Sequence, residues 1–285
     1  MLPKPRPTNT LHERERVTFS TMSCDEEAIA PDGELPPAVS AVRPLYKSLF
    51  AFIDLEQAVT ASSEDTQRLG LGRDGFTYGE TTLASVWRIL ASLGLRGGSG
   101  AAIKDLGSGI GNVVVAVGLI AAAGALGEGA VRSVRGIELL PTLHAAAVRA
   151  VAGLRREWSD SPLPLPHCSV ECSDLLDCDL SDCDIAYMAS TVFEDHVLEW
   201  FARRAAETMR PGSRVVTLAR ALKNDAFSVE AIVPCVNSWG EEDAYINVRV
   251  WDDAVQAGLE RVVRSMRTEW QFDGHGAPVK LGPSA

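Results

Sequence analysis

The sequence predicts a doubly wound, mostly parallel α/β sheet that ends in an antiparallel hairpin, preceded by an N-terminal helical cover. Three observations carry this expectation. Strand-like and helix-like segments alternate from Ala101 to Leu218. A glycine-rich turn, DLGSGIGN (Asp105 to Asn112), joins the first strand of that series to its first helix. After the fifth strand the alternation stops, and two extended runs follow around a turn.

Residues 1–40 are rich in proline and charge (KPRP, CDEE, PDGELPP) and show no apolar period. Such a segment buries too little to offset its ordering entropy, so a disordered acidic tail is expected. Residues 41–98 read as the helical cover: Leu45, Leu49, Phe50, Ile53 and Val59 recur at helical spacing, in one or two helices. The turn GLGRDG then leads into YGETTLASVWRILASLGL, where Thr81 or Thr82 can cap a helix through Leu93.

The core is expected over residues 99–252. Its strand candidates are Ala101 to Leu106, Ser133 to Glu138, Ser169 to Cys172, Asp184 to Ala189 and Arg214 to Leu218. Its helix candidates are Asn112 to Leu126, Pro141 to Trp158 and Glu194 to Met209. Pro141 suits a first helical turn, where its missing N–H would go unpaired anyway. SVEAIVPCV and AYINVRVW around SWGEED read as the hairpin. Residues 253–285 are expected to form a C-terminal helix and tail, in which Arg261, Arg264 and Arg267 share one face or simply a solvated surface.

With 285 residues, 46% hydrophobic and 23% charged, the chain can build a sizeable core, and collagenous, coiled-coil and wholly disordered classes are excluded. Its 27 Lys and Arg against 38 Asp and Glu leave a net charge of −11. No general basic field draws it to nucleic acid or an anionic membrane, so neither a membrane nor direct sequence-specific nucleic-acid binding is expected. Val113 to Leu126 falls short of the roughly 20 residues that span a bilayer and reads as a buried helix. The N-terminus lacks the apolar run of a secretory signal, so an intracellular location with reduced cysteines is expected. His167, Cys168, Cys172, Cys178 and Cys183 raise a zinc site, but no CxxC pair is present. No metal is expected, and these cysteines read as small apolar residues on neighbouring strands and loops.

The chemistry centres on DLGSGIGN. Its glycines let backbone approach a ligand, and the helix that follows offers unpaired N–H groups. The spacing departs from GxGxxG: the third glycine is Gly111 and position 112 is Asn. This DxGxGxG form favours S-adenosylmethionine over NAD; the other reading is a tight strand-to-helix turn. Glu138 ends the second strand, where a carboxylate accepts two ribose hydroxyls or is an ordinary exposed strand end. Asp174 follows the third strand, where it accepts from an adenine amine, with Leu175 on the ring, or caps a turn. With Asp105, three acids then stand at the carboxyl ends of three successive strands, the edge where open sheets bind ligands.

YGET ahead of DLGSGIGN, then GIE, SDLL, MASTVF and PGSRVV, resembles the disruptor-of-telomeric-silencing family over Tyr78 to Trp251. These are histone-lysine N-methyltransferases without a SET domain, within the class I S-adenosylmethionine-dependent methyltransferase superfamily, whose Rossmann-like fold the strand pattern matches. The resemblance implies S-adenosyl-L-methionine as cofactor, with Tyr78, Gly79, Glu80 and Thr81 closing its methionine end. It implies a cradle of Ile103, Lys104, Asp105, Leu106, Gly107, Ser108, Gly109, Ile110, Gly111 and Asn112, with Glu138 on the ribose and Asp174 and Leu175 on the adenine. It further implies a histone or nucleosome as protein substrate, a nuclear location and a role in chromatin; a monomer is expected.

Two departures stand out. Where the family carries NNFAF this chain has Ala189, Ser190, Thr191, Val192 and Phe193, so both amides are missing and the Ser190 hydroxyl is the candidate to orient an acceptor amine. Tyr245 falls near the family's channel tyrosine after a one-residue gap, and is a second catalytic candidate or a buried strand aromatic. The basic extensions with which the family engages nucleosomes are also absent: Lys4, Arg6, Arg14 and Arg16 face seven acidic residues in the tail. A non-histone protein, a small molecule, or no acceptor at all (a cofactor-binding pseudoenzyme) are the alternatives.

Overall fold

The computed structural model describes residues 35–71, 78–250, 270–272 and 278–280. Residues 1–34 of the expected tail and the arginines at 261, 264 and 267 lie outside these.

Seven strands form one sheet in the order β3-β2-β1-β4-β5-β7-β6. They are β1 Ala101–Leu106, β2 Val131–Glu138, β3 His167–Cys172, β4 Ile185–Met188, β5 Arg214–Leu218, β6 Phe227–Asn237 and β7 Gly240–Arg249. The first five pair in parallel, while β7 runs antiparallel to both β5 and β6. This is the class I methyltransferase arrangement that the alternation followed by a hairpin predicts. Pro234 is tolerated because β6 is the edge strand, with a neighbour on one side only. The hairpin turn is only Ser238 and Trp239; the glutamates that read as turn residues belong to β7, where Glu241 and Glu242 pair with Val236 and Cys235.

Helix α4 (Asn112–Ala122) links β1 to β2, α5 (Pro141–Trp158) links β2 to β3, and α6 (Asp195–Thr208) links β4 to β5. Strand alternation sorts their contacts. Ile103, Tyr187, Val216, Leu218, Ala244 and Ile246 face one core with α4 and α5. Leu106, Ala186, Met188 and Val215 face another with α6. Helix α4 ends four residues before the expected Leu126, where Gly124 takes φ +75°.

The cover is three helices: α1 (Pro37–Leu49), α2 (Leu55–Arg68) and α3 (Leu83–Ser92). Helix α1 starts inside the segment read as tail, because Val39 is fully buried in the core shared with α4. Asp54 and Gln57 form a reciprocal capping box that starts α2. Asp65, fully buried near its end, accepts from the Thr142 N–H (2.6 Å) and hydroxyl (3.1 Å). It thereby satisfies a first-turn N–H of α5 that has no partner within the helix. Most of the expected C-terminal helix and tail lies outside the described residues; those described there form two short antiparallel strands, β8 (Trp270–Phe272) and β9 (Pro278–Lys280). No helix among the described residues is long and apolar enough to cross a membrane.

The cysteines near β3 do not converge. Cys168 lies in the α4 core, Cys178 and Cys183 lie in the α6 core across the sheet, and Cys172 is exposed. No group of three or more potential ligands could hold a metal among the described residues. Burial pushes the Cys168 and Cys183 thiols up to about 12, so both stay protonated.

Candidate cofactor site at the carboxyl edge

The glycine turn leaves β1 at the carboxyl edge of the sheet. Gly107, Gly109 and Gly111 all take positive φ (+82°, +55° and +87°), a region that costs other residues roughly 1–2 kcal/mol. The Gly107 and Ser108 N–H groups both donate to the Ile137 carbonyl at 2.9 Å, which ties the loop to β2. Close approach matters as much as φ: a Cβ on Gly109 would lie 2.6 Å from the Tyr78 ring, and one on Gly111 3.2 Å from Ala147 in α5. Sequence reasoning missed the seat of this loop. Gly136 in β2 leaves room for Ser108, whose Oγ would be 2.6 Å from an added Cβ. A glycine inside a strand was the available signal.

Two strand-end acids prove to be tied to backbone. Glu138 Oε2 accepts from the Gly109 N–H and Oε1 from the Leu140 N–H, both at 2.7 Å. This holds the glycine loop against the start of α5 and still leaves lone pairs on both oxygens. Burial raises the Glu138 pKa, while the amide hydrogen bonds pull it back. The alternative of an exposed strand-end carboxylate is therefore excluded by its 6% exposure. Glu138→Gln would aim an amide NH2 at one of those N–H donors. It is expected to destabilise the protein by about 1–3 kcal/mol, seen as a fall in Tm; an unchanged melt would show that the carboxylate does not hold the loop. Asp174 caps a turn, one of its two expected roles: its Oδ1 accepts from the Leu176 N–H at 2.8 Å, and Leu175 packs against the α6 core.

Asp105 is different. It is 2% exposed and its Oδ2 has no partner; nor has the Ser108 Oγ, three residues on. Desolvation, reinforced by the Glu138 charge, raises its pKa to about 8.

The YGET segment lies across this edge. Tyr78 Oη is 2.9 Å from Glu80 Oε1 and 3.1 Å from Asn112 Oδ1 at the start of α4, so the Asn that replaces a third-position glycine holds the segment down. Gly79 passes over Trp239, where an added Cβ would meet the ring at 2.3 Å. Glu80 N–H donates to Ser238 Oγ (2.9 Å) and Ser238 N–H to the Glu80 carbonyl (2.8 Å). Thr81 bridges to Asn237 and shares a 2.7 Å hydrogen bond with the Tyr187 hydroxyl. Thr82, rather than Thr81, caps α3, accepting from the Ser85 N–H. The hairpin turn thus anchors a segment far away in sequence.

Other predicted residues are placed elsewhere. Ile103 and Leu106 fill the two cores and Ile110 packs with Ala58, Leu140 and Leu143. Lys104 turns to the α6 side, where its ammonium donates to the Asp179 carbonyl and to Asp182 Oδ1. These four shape the cradle by packing, not by presenting side chains to a ligand. Both catalytic candidates have structural contacts of their own. Ser190 is fully buried and its hydroxyl donates to the Leu218 carbonyl at 2.7 Å, so it joins the turn after β4 to the end of β5. Tyr245 lies between Ala244 and Ile246, which face the α4 core, and pairs with Thr217, so alternation turns it to the α6 face, away from Thr81 and Tyr187. Ser190→Ala would strand the Leu218 carbonyl and is expected to remove about 1–3 kcal/mol of stability; a wild-type urea midpoint would restore the hydroxyl to the pool of free site groups.

No protein-family model matches the chain, and no curated protein sequence matches it. The resemblance to the telomeric-silencing family therefore rests on the motifs themselves. Among solved structures, an RNA methyltransferase from Salinibacter ruber in complex with S-adenosyl-L-homocysteine is 20% identical, covers 60% of this chain and 94% of its own, and has a TM-score of 0.44. Magnesium protoporphyrin IX methyltransferase from Synechocystis, with S-adenosylmethionine bound, is 12% identical over 77% of this chain and 100% of its own, with a TM-score of 0.41. TrmN from Thermus thermophilus is 17% identical over 59% of this chain and 48% of its own, at 0.39. These likenesses are of fold; what the site holds follows from its own residues.

Proposed function

We propose that this chain transfers a methyl group from S-adenosylmethionine to a neutral nucleophile. The observation that most supports this is the buried, unpartnered Asp105 carboxylate oxygen beside a left-handed glycine loop that no side chain could share with Tyr78. A folded protein rarely leaves such an atom unsatisfied unless a ligand completes it. When bound, the cofactor supplies a methyl group already activated on sulfur, so that positioning and exclusion of water are the protein's main contributions.

In this reading Asp105 accepts from the ligand's ammonium group, the spare lone pairs of Glu138 accept ribose hydroxyls, and Asp174 Oδ2 accepts from the adenine amine. Tyr78 and Gly79, held by Asn112 and Trp239, close the site. These residues fit the cofactor, and none of the assignments depends on Ser190 or Tyr245.

For the acceptor, the motif order favours a histone lysine, but the residues that would serve one are not assembled. The amides at 189 and 190 are absent, the Ser190 hydroxyl is committed to Leu218, and the net charge is −11. We therefore favour an acceptor other than a nucleosomal lysine, on another protein or a small molecule. The test offers labelled S-adenosylmethionine with nucleosomes, free histones and whole-cell extract in parallel. Label in an extract component with none in histones supports this acceptor class; labelled histone lysine overturns it in favour of the family's chemistry. Calorimetric binding of NADH but not S-adenosylhomocysteine would overturn the cofactor.

A further inference from the structure

A chain of contacts runs round the carboxyl edge and closes on itself. On one side Phe193, in the turn after β4, brings its ring to 3.7 Å from where a Cβ on Gly107 would lie. Two residues before it, the Thr191 hydroxyl donates to Glu242 Oε2 at 2.9 Å. On the other side the Tyr78 ring lies against Gly109 and Gly79 against the Trp239 ring, and the Trp239 Nε1–H donates to the same Glu242 oxygen at 3.1 Å. Both routes from the glycine loop therefore end on Glu242. The residue belongs to β7, yet Thr191 follows β4, the sheet neighbour of β1, so this hydrogen bond draws the carboxylate to the end of the strand beside the loop. Strand alternation gives the same direction: Glu242 precedes Ala244 and Ile246 by two and four positions and turns to their face, the one on which Thr81 meets Tyr187. Glu242 is half-buried, and both side-chain hydrogen bonds fall on Oε2. One oxygen is thus anchored twice while Oε1 has no partner among the described residues.

We propose that Glu242 receives the methyl acceptor: Oε1 accepts an N–H of an amine that enters inside this rim and takes its proton. An ionised carboxylate only accepts hydrogen bonds, so the group it serves carries a proton of its own. A protonated amine suits this rim best, because its charge is attracted by the carboxylate, by the aromatic rings of Tyr78, Trp239 and Phe193, and by a chain of net charge −11. A hydroxyl brings no charge for any of them to hold. The ammonium passes one proton to Glu242, and the freed lone pair forms the N–CH3 bond. The S–CH3 bond breaks with its electron pair left on sulfur, and the half-exposed Glu242 returns the proton to water. Glu242 thereby supplies the polar group that the missing amides at 189 and 190 and the committed Ser190 hydroxyl do not. The inference deepens the S-adenosylmethionine reading and rests on it.

The test follows methyl transfer from labelled S-adenosylmethionine into whole-cell extract by wild type, Glu242→Gln and Glu242→Ala, alongside calorimetry with S-adenosylhomocysteine. Acid hydrolysis of the labelled product is expected to yield an N-methylated amine. The amide oxygen of Gln still accepts from Trp239 and Thr191. Glu242→Gln is therefore expected to keep the Tm and S-adenosylhomocysteine affinity of wild type while transferring methyl roughly a hundredfold more slowly. Added formate is expected to restore part of the rate lost in Glu242→Ala, a gain that a purely structural carboxylate would not show. Wild-type transfer by Glu242→Gln, a parallel loss of its S-adenosylhomocysteine affinity, or no gain with formate overturns the assignment. So does label on oxygen or sulfur, or no labelled amine from a wild type that binds S-adenosylhomocysteine. If wild type does not bind S-adenosylhomocysteine, the cofactor reading itself falls and takes this inference with it; with binding intact, only Glu242 is in question.

Discussion

Gly109→Arg is expected to abolish binding of S-adenosylhomocysteine in a protein that still folds. The position takes φ +55°, and its missing side chain is where the Tyr78 ring lies, 2.6 Å from an added Cβ. An arginine must either displace Tyr78 from Glu80 and Asn112 or move the loop off β2, and both take apart the cradle. The same N–H that Glu138 holds would move with it. Gly98→Ala separates strain from obstruction, since Gly98 also has positive φ (+77°) but open space around it. That variant is expected to lose some stability and keep wild-type affinity. Near-native affinity in a folded Gly109→Arg protein, checked by circular dichroism and calorimetry, would remove the loop from the site.

Asp105→Asn is expected to flatten the pH dependence of the free protein's stability while weakening ligand binding. The folded-state pKa of Asp105 is raised from 3.8 to about 8, by burial first and by Glu138 second. Between these values the native state retains a proton that the unfolded chain has lost. Stability therefore falls as pH rises from about 4 to 8, by an amount on the order of a few kcal/mol. The amide of Asn is neutral throughout, so urea melts of the variant should lose that slope and show higher stability than wild type at pH 8. Identical pH profiles for the two proteins would show that Asp105 ionises normally. A ligand ammonium should pull the Asp105 pKa down again, so binding near neutral pH is expected to release protons, measurable as a buffer-dependent heat of binding.

The features legible along the chain are the ones encoded locally. Alternating segments define strands and crossover helices, three glycines within five residues allow a left-handed turn after β1, and an acid at or just beyond the end of each of the first three strands lands at one edge once the sheet is parallel. Period, φ preference and strand direction are properties of neighbours in the chain. What each polar group does depends instead on contacts between distant segments. Ser190 and Leu218 meet because β4 and β5 are adjacent, Tyr245 turns away because strand parity changes face at every residue, and Glu80 finds Ser238 across 158 positions. Gly136 offers only the signal of a glycine inside a strand; its importance lies in the Ser108 side chain that packs over it, which follows only from the packing of segments distant in sequence.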